Sequence, residues 1–79
     1  MERYYFHIRG KSDYIEDLGG TEFPDLATAI SEGQKAAREI IAEKLLKNEA
    51  FDNEQFEIAD DTECVHAVVV WTDAMKTVD

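Results

Sequence analysis

The residues best suited to chemistry are Cys64 and His66, separated by one residue, together with His7 near the N-terminus. Residues at positions i and i+2 of a β-strand share one face, and His7 would join them if the two strands were neighbours. A thiolate with two imidazoles suits zinc, although this spacing matches no known zinc motif and a fourth ligand is missing. Buried cysteine and histidine are more often packing residues. We therefore expect no metal site here.

Nucleophilic catalysis is the second chemistry that Cys64 and His66 could support, because a reactive thiol needs a neighbouring base. No third group that would orient His66 is evident. The other candidates are weaker: the serines have no histidine at a useful spacing, the carboxylates are unpaired, and Gly19-Gly20 lacks the lysine of a phosphate-binding loop. We predict no catalytic residue, no cofactor and no enzymatic activity. The alternative is a small enzyme or metal-binding protein that uses Cys64 and His66.

The composition predicts one small domain, residues 1–79, near the lower limit for a self-sufficient core. Hydrophobic residues make up 44% of the chain, which suits a folded protein. The single cysteine cannot form an internal disulfide, so association with a second copy is another route to stability. No apolar run is long enough to span a membrane, and the N-terminus lacks the order of a secretory signal. We expect a cytoplasmic protein without membrane association.

Charge is distributed unevenly along the chain, whose formal net charge is −10. Residues 25–47 contain four acids and four bases, so the remaining segments carry the whole net charge. Four acids and no base lie in residues 13–22, and seven acids and no base lie in residues 49–63. Such a field repels phosphates, so we expect no direct nucleic-acid binding and keep a basic protein partner as an alternative. Surface solubility is the plainer explanation.

One long amphipathic helix organises the rest of the sequence. Its apolar stripe repeats at steps of three and four residues: Leu26, Ile30, Gly33, Ala37, Ile41 and Leu45. Asp25 can cap the first turn and Asn48 can end the helix in the left-handed conformation, which predicts a helix of about 22 residues. A glycine within the stripe, Gly33, predicts close approach to a large ring, either Phe6 or Trp71.

Four segments around this helix have the alternating pattern of β-strands. The sequence thus predicts β-β-α-β-β, an α+β fold with a four-stranded antiparallel sheet and the helix on one face. The most apolar strands, residues 4–8 and 65–71, are assigned to the middle of the sheet. The acidic strands near Tyr14 and Phe56 are assigned to the edges, which gives the strand order 2-1-4-3.

This chain contains several short motifs, the first of which is Arg-Tyr-Tyr-Phe-His-Ile-Arg at residues 3–9. The others are residues 16–17, 20–22, 24–26, 56–58 and 73–74. In these motifs the sequence resembles a rhizobial-type family of short bacterial proteins, a domain of unknown function. The resemblance covers nearly the whole chain and implies the architecture above but no activity. The sequence departs from the family pattern where more polar residues are expected, at Cys64, His66, Val68 and Val70.

The sheet face that the helix leaves uncovered is the leading functional candidate. Tyr5, His7, Val68 and Val70 would form a contiguous apolar patch on it, and such patches mark interaction surfaces. A C-terminal tail folded over the patch is the competing explanation. We predict a non-enzymatic homodimeric interaction or regulatory module with these four residues at its interface. The alternative function is an antitoxin-like protein that covers a basic partner.

Overall fold

The computed structural model describes residues 1–49 and 54–74. It confirms the α+β class, because an antiparallel sheet of five strands carries one long helix. The elements are β1 (Glu2–Arg9), β2 (Tyr14–Ile15), β3 (Thr21–Phe23), α1 (Leu26–Leu46), β4 (Gln55–Ala59), β5 (Val65–Val70) and α2 (Trp71–Ala74). The predicted second strand is divided into β2 and β3, which pair with opposite ends of β1. Trp71 begins a short helix instead of ending the last strand.

The order of the strands matches the prediction in part: β2 lies beside β1 as predicted, but the last two strands have exchanged places. The sheet runs β2-β1-β4-β5, so the strand containing Phe56 is central and the last strand lies at the edge. The direction of the chain explains this order. Strand β3 ends at Phe23, opposite Glu2, and the chain returns to the sheet at Gln55, opposite Arg9. Strand β4 therefore runs antiparallel to β1, whereas β5 beside β1 would make a parallel pair, which is slightly less stable.

Helix α1 begins as predicted and ends within one residue of the predicted end. The Asp25 carboxylate accepts a hydrogen bond from the amide of Thr28 at 2.7 Å, and Asn48 has a φ of 57°. The prediction that Leu45 is buried is wrong, because its side chain is 60% exposed. A helix of 21 residues is about 31 Å long. It is therefore longer than the strands beneath it, and no strand in the described part of the chain packs against its last turn. Within the described residues, no helix is long and apolar enough to cross a membrane.

The core lies between α1 and the inner face of the sheet. The ring of Phe6 meets Phe56 edge-on at 5.7 Å, and Phe56 packs against Trp71 at 5.2 Å. Gly33 permits the close approach predicted from the sequence, since an added Cβ would lie 3.0 Å from Cε2 of Phe6. Phe51 follows the helix in the sequence, and from its apolar ring we expect it to pack under the helix end. This residue lies outside the described residues.

Candidate functional site

The outer face of the sheet does not carry one contiguous apolar patch. Strand register places His7 opposite Glu57 and Glu57 opposite Val68, so β4 separates the two halves of the predicted interface. Tyr5 and His7 lie on β1, whereas Val68 and Val70 lie on β5. The prediction of a contiguous patch fails because β4, with its polar outward residues, occupies the position we had assigned to the last strand.

The chain covers His7 with its own loop between β2 and β3. The His7 side chain is only 4% exposed, and its Nδ1 accepts a hydrogen bond from the amide of Asp17 at 3.1 Å. Its ring lies parallel to that of Tyr5, with centroids 6.3 Å apart, and 5.7 Å from the ring of Tyr14. Because Nδ1 accepts, the proton of the neutral ring is on Nε2. His7 is therefore a structural part of this face.

Asp17 holds that loop against β1. One carboxylate oxygen accepts from the amide of Phe6 at 3.1 Å, and the other accepts from the amides of Gly19 and Gly20 at 3.2 and 3.1 Å. Burial opposes ionisation of this carboxyl, but the three amide donors outweigh it and lower the pKa of Asp17 below its ordinary value. The ionised carboxylate thus satisfies backbone donors that the gap between β2 and β3 leaves without strand partners.

The middle of the outer face is polar. Arg9 forms an ion pair with Glu57, and its guanidinium also lies 4.4 Å from the ring centroid of Tyr14. The hydrogen bond from Arg9 lowers the pKa of Glu57 below its ordinary value. This arrangement leaves little apolar surface on β1 and β4.

Strand β5, at one edge of the sheet, exposes apolar side chains, as β2 at the opposite edge also does through Tyr14 and Ile15. Val68 is 50% exposed and Val65 is 46% exposed. Among the described residues, no strand pairs with the outer side of β5. The sequence from Cys64 to Thr72 contains nine residues without a charged side chain, in a chain of which 33% is charged. An uncharged, apolar edge strand is open to pairing with another strand.

The turn before β5 brings together a second group of side chains. Ligand-type atoms of Asp60, Cys64 and His66 all lie within 4.8 Å of one another. The Asp60 carboxylate accepts a hydrogen bond from Nε2 of His66 at 2.7 Å. The predicted neighbour His7 is not part of this group, because β4 separates β1 from β5 and places the two strands about 10 Å apart.

Asp60 is fixed by its own turn. Its Oδ1 accepts from the amide of Thr62 at 2.8 Å, the hydroxyl of Thr62 at 2.6 Å and the amide of Cys64 at 3.1 Å. These donors and His66 lower the pKa of Asp60 well below its ordinary range, the Thr62 hydroxyl contributing most. The carboxylate is therefore ionised at neutral pH, with Oδ2 directed at His66.

A family model matches residues 3–71, which extend from β1 through the Asp60 turn to the start of α2. The chain belongs to the DUF6894 family, a domain of unknown function. This result confirms the family resemblance expected from the sequence motifs. No curated protein and no solved structure matches the chain. Membership of DUF6894 therefore names no activity, and the function must be argued from the residues.

In this DUF6894 domain, sequence reasoning identified Cys64 and His66 but missed Asp60 as their neighbour. Residues 60–63 are typical of a turn, and a turn by itself indicates no ligand. The sequence did contain an indication of the role of Asp60, because Thr62 follows it two residues later. In such a turn the aspartate side chain accepts hydrogen bonds from the residue two positions on. The two acidic runs also meet in space, around a cavity of about 180 Å³ on the outer face. Its lining is Tyr5, His7, Glu16, Asp17, Leu18, Asp60, Asp61 and Glu63.

Proposed function

We propose that this domain is a non-enzymatic homodimeric interaction module that pairs the edge strand β5 with β5 of a second copy. The observation that carries the proposal is the exposed, uncharged apolar edge formed by β5, with Val65 and Val68 about half exposed. Edge strands present unpaired amide and carbonyl groups, and soluble proteins usually protect them with charge or proline. Strand β5 contains neither a charged side chain nor proline.

Charge favours this edge over every other surface as the contact between two copies. Each copy carries −10, so most approaches bring like charges together. Residues 64–72 form the longest stretch without a charged side chain. Contact at β5 therefore lets two acidic molecules associate with the least repulsion, while the acidic segments remain in solvent.

Two-fold symmetry fits an antiparallel pair of identical strands. Opposed residues in such a pair point to the same sheet face, so an axis perpendicular to the sheet lies midway between the two copies of one residue. An axis between the two copies of Val68 would pair residues 66–70 of one copy with the same residues of the other in reverse order. The two sheets would become one continuous sheet with both long helices on the same side.

The size of the core gives a reason to associate. Ile41 and Ile58 are the largest fully buried side chains among the described residues. A chain of 79 residues buries a small fraction of its surface compared with larger domains. Burial of Val65 and Val68 in a dimer would add stability at roughly 25 cal/mol per Å² of apolar area, before the costs of association. We also propose a reducing, cytoplasmic setting, in which the exposed Cys64 remains a thiol.

Amide hydrogen exchange tests the placement of this interface. With rising protein concentration, we expect the outward amides of β5 to exchange more slowly, while amides of β2, at the opposite edge, exchange at a constant rate. Slowing at β2 with no change at β5 would contradict the proposal.

A basic protein partner is a second candidate, favoured by the acidic cavity beside Tyr5 and His7. Arginine or lysine side chains could bind between its carboxylates, with the aromatic ring of Tyr5 as one wall. The test is binding of an arginine-rich peptide to the wild type and to Glu16→Lys, with Glu39→Lys on the helix as the charge-matched control. Equal weakening by both variants would indicate nonspecific attraction and remove this candidate.

A further inference from the structure

We propose that Asp60, Cys64 and His66 form a binding site for a thiophilic divalent cation, with zinc as the ion that fits best. This inference is independent of the dimer proposed above. It also replaces the expectation from sequence that Cys64 and His66 belong to no metal site, because that expectation lacked Asp60 and relied on the distant His7. The group supplies one sulfur, one nitrogen and one oxygen ligand.

The separations between the three ligand atoms are close to those of a tetrahedral zinc site, so only small movements of the side chains are needed. Zinc lies about 2.0–2.3 Å from such ligands, which places the ligand atoms of a tetrahedral site about 3.4–3.8 Å apart. The atoms here all lie within 4.8 Å of one another. Nε2 of His66 and the Asp60 carboxylate, now 2.7 Å apart, would separate by about 0.7 Å to admit the ion. Rotation of exposed side chains is sufficient for this change.

The metal would take the place of protons. In the structure, the hydrogen bond from His66 to Asp60 holds a proton between the two ligand atoms. Zinc binding would form bonds to Nε2 of His66, to the Asp60 carboxylate and to Sγ of Cys64. The proton on Nε2 moves to Nδ1 through solvent, and the thiol proton is released to the buffer. Solvent would complete the coordination.

The surroundings of Asp60 are those of an oriented ligand. Its Oδ1 is already occupied by three hydrogen bonds from the turn, so Oδ2 faces the group. Partners of this kind orient ligands and increase metal affinity in known sites. The left-handed φ of 65° at Glu63 returns the chain so that Cys64 lies beside Asp60.

A strand irregularity directs His66 toward the same point. Ile58 lies opposite Ala67, whereas the next residue, Ala59, lies opposite Val65. This shift leaves His66 as an extra residue on β5, as in a β-bulge. Bulges change the direction of a side chain and occur frequently beside functional sites. The turn and the bulge are thus two separate backbone features that converge on one ligand group.

The ligand types select among metals. Thiolate and imidazole favour zinc over magnesium and calcium, which prefer oxygen ligands. Cys64 and His66 are exposed, so an ion can enter from solvent. Asp61 and Glu63 on the same turn raise the local concentration of cations. Nonspecific attraction to these acids is the competing explanation, and the test must separate it from coordination.

Cobalt titration of the reduced protein makes that separation, because a cobalt–thiolate bond has its own charge-transfer absorption. We expect one cobalt per chain with this absorption, and displacement by zinc. Cys64→Ser should abolish the absorption, and Asp60→Asn and His66→Gln should each weaken binding at least tenfold. Asp61→Asn removes the same charge from the same turn and should change affinity less than twofold.

Two results would overturn the site: absence of the charge-transfer absorption in the wild type, or equal weakening by Asp61→Asn and Asp60→Asn. Thermal unfolding of each variant without metal shows whether the fold is retained. The amide introduced by Asp60→Asn keeps an oxygen that can accept the hydrogen bonds of the turn. Cys64 is exposed, so Cys64→Ser provides a decisive variant even if Asp60→Asn disturbs the turn.

Discussion

Single side chains hold the covering loop of the outer sheet face in place. Asp17 accepts three backbone hydrogen bonds there, and its own amide donates to His7. Gly20 supplies the left-handed turn that lets the loop return to β3, with a φ of 68°. The glycine pair Gly19-Gly20 indicates a bend, but the sequence cannot reveal that Asp17 ties this loop to β1, because the amide of Phe6 lies 11 residues away in the chain.

Replacement of Asp17 by asparagine should lower the free energy of unfolding at neutral pH by on the order of 1–3 kcal/mol, since Phe6 loses a charged acceptor. Because the pKa of Asp17 is lower in the folded state, the ionised carboxyl stabilises the fold at pH values above 3.8, its ordinary pKa. That contribution disappears as pH falls through the lower pKa of the folded state. Urea unfolding across pH should therefore show a difference between wild type and variant that shrinks on acidification. Asp13→Asn is the charge-matched control, and an equal loss in both variants would refute the role of Asp17.

Gly20→Ala should destabilise the protein by on the order of 1–3 kcal/mol because of its backbone conformation. The added methyl group would also lie 2.9 Å from Cγ of Arg3 and from the ring of Tyr5. The adjacent Gly19→Ala is the matched control, since its methyl group would meet no atom within 4 Å. Thermal unfolding measures both variants. Equal melting temperatures would show that the loop tolerates the change and that our account of it is wrong.

Among the elements, the helix was the most predictable and the order of the strands the least. The spacing of the apolar stripe and the types of Asp25 and Asn48 determine where α1 begins and ends. The strand order depends on the direction in which the chain returns from α1, which composition does not encode. We interpreted the apolar character of β5 as a sign of a central strand, whereas it belongs to an exposed edge.

Ile41→Ala should cost on the order of 2–4 kcal/mol, because it leaves a cavity between α1 and the sheet. Ile41 is 2% exposed, whereas Leu45, one turn later on the same stripe, is 60% exposed. Leu45→Ala should therefore change stability by at most about 0.5 kcal/mol. Chemical denaturation of both variants checks the register of the helix. Similar losses at the two positions would mean that the helix packs with another face.

At the scale of the whole molecule, the acidic runs and the longest uncharged segment occupy different parts of the sheet. The acidic runs meet around one cavity on the outer face, and the uncharged segment forms the edge of the sheet. The α+β class and the helix-on-sheet arrangement followed from the sequence, since periodicity and length determine them. The sequence predicted only two residues of the candidate metal site, Cys64 and His66. Asp60 was missed because a turn and a bulge bring it to them, and no periodic pattern indicates either feature.

Sedimentation of the wild type and of Val68→Lys most directly tests the proposal that β5 is a homodimer interface. We expect the wild type to be dimeric at high micromolar concentration and Val68→Lys to be monomeric, because the two-fold axis would place the lysines opposite each other. Ile15→Lys is the control: Ile15 is 58% exposed at the opposite edge of the sheet, and this variant should remain dimeric. A monomeric wild type, or a dimer that Val68→Lys leaves intact, would contradict the account.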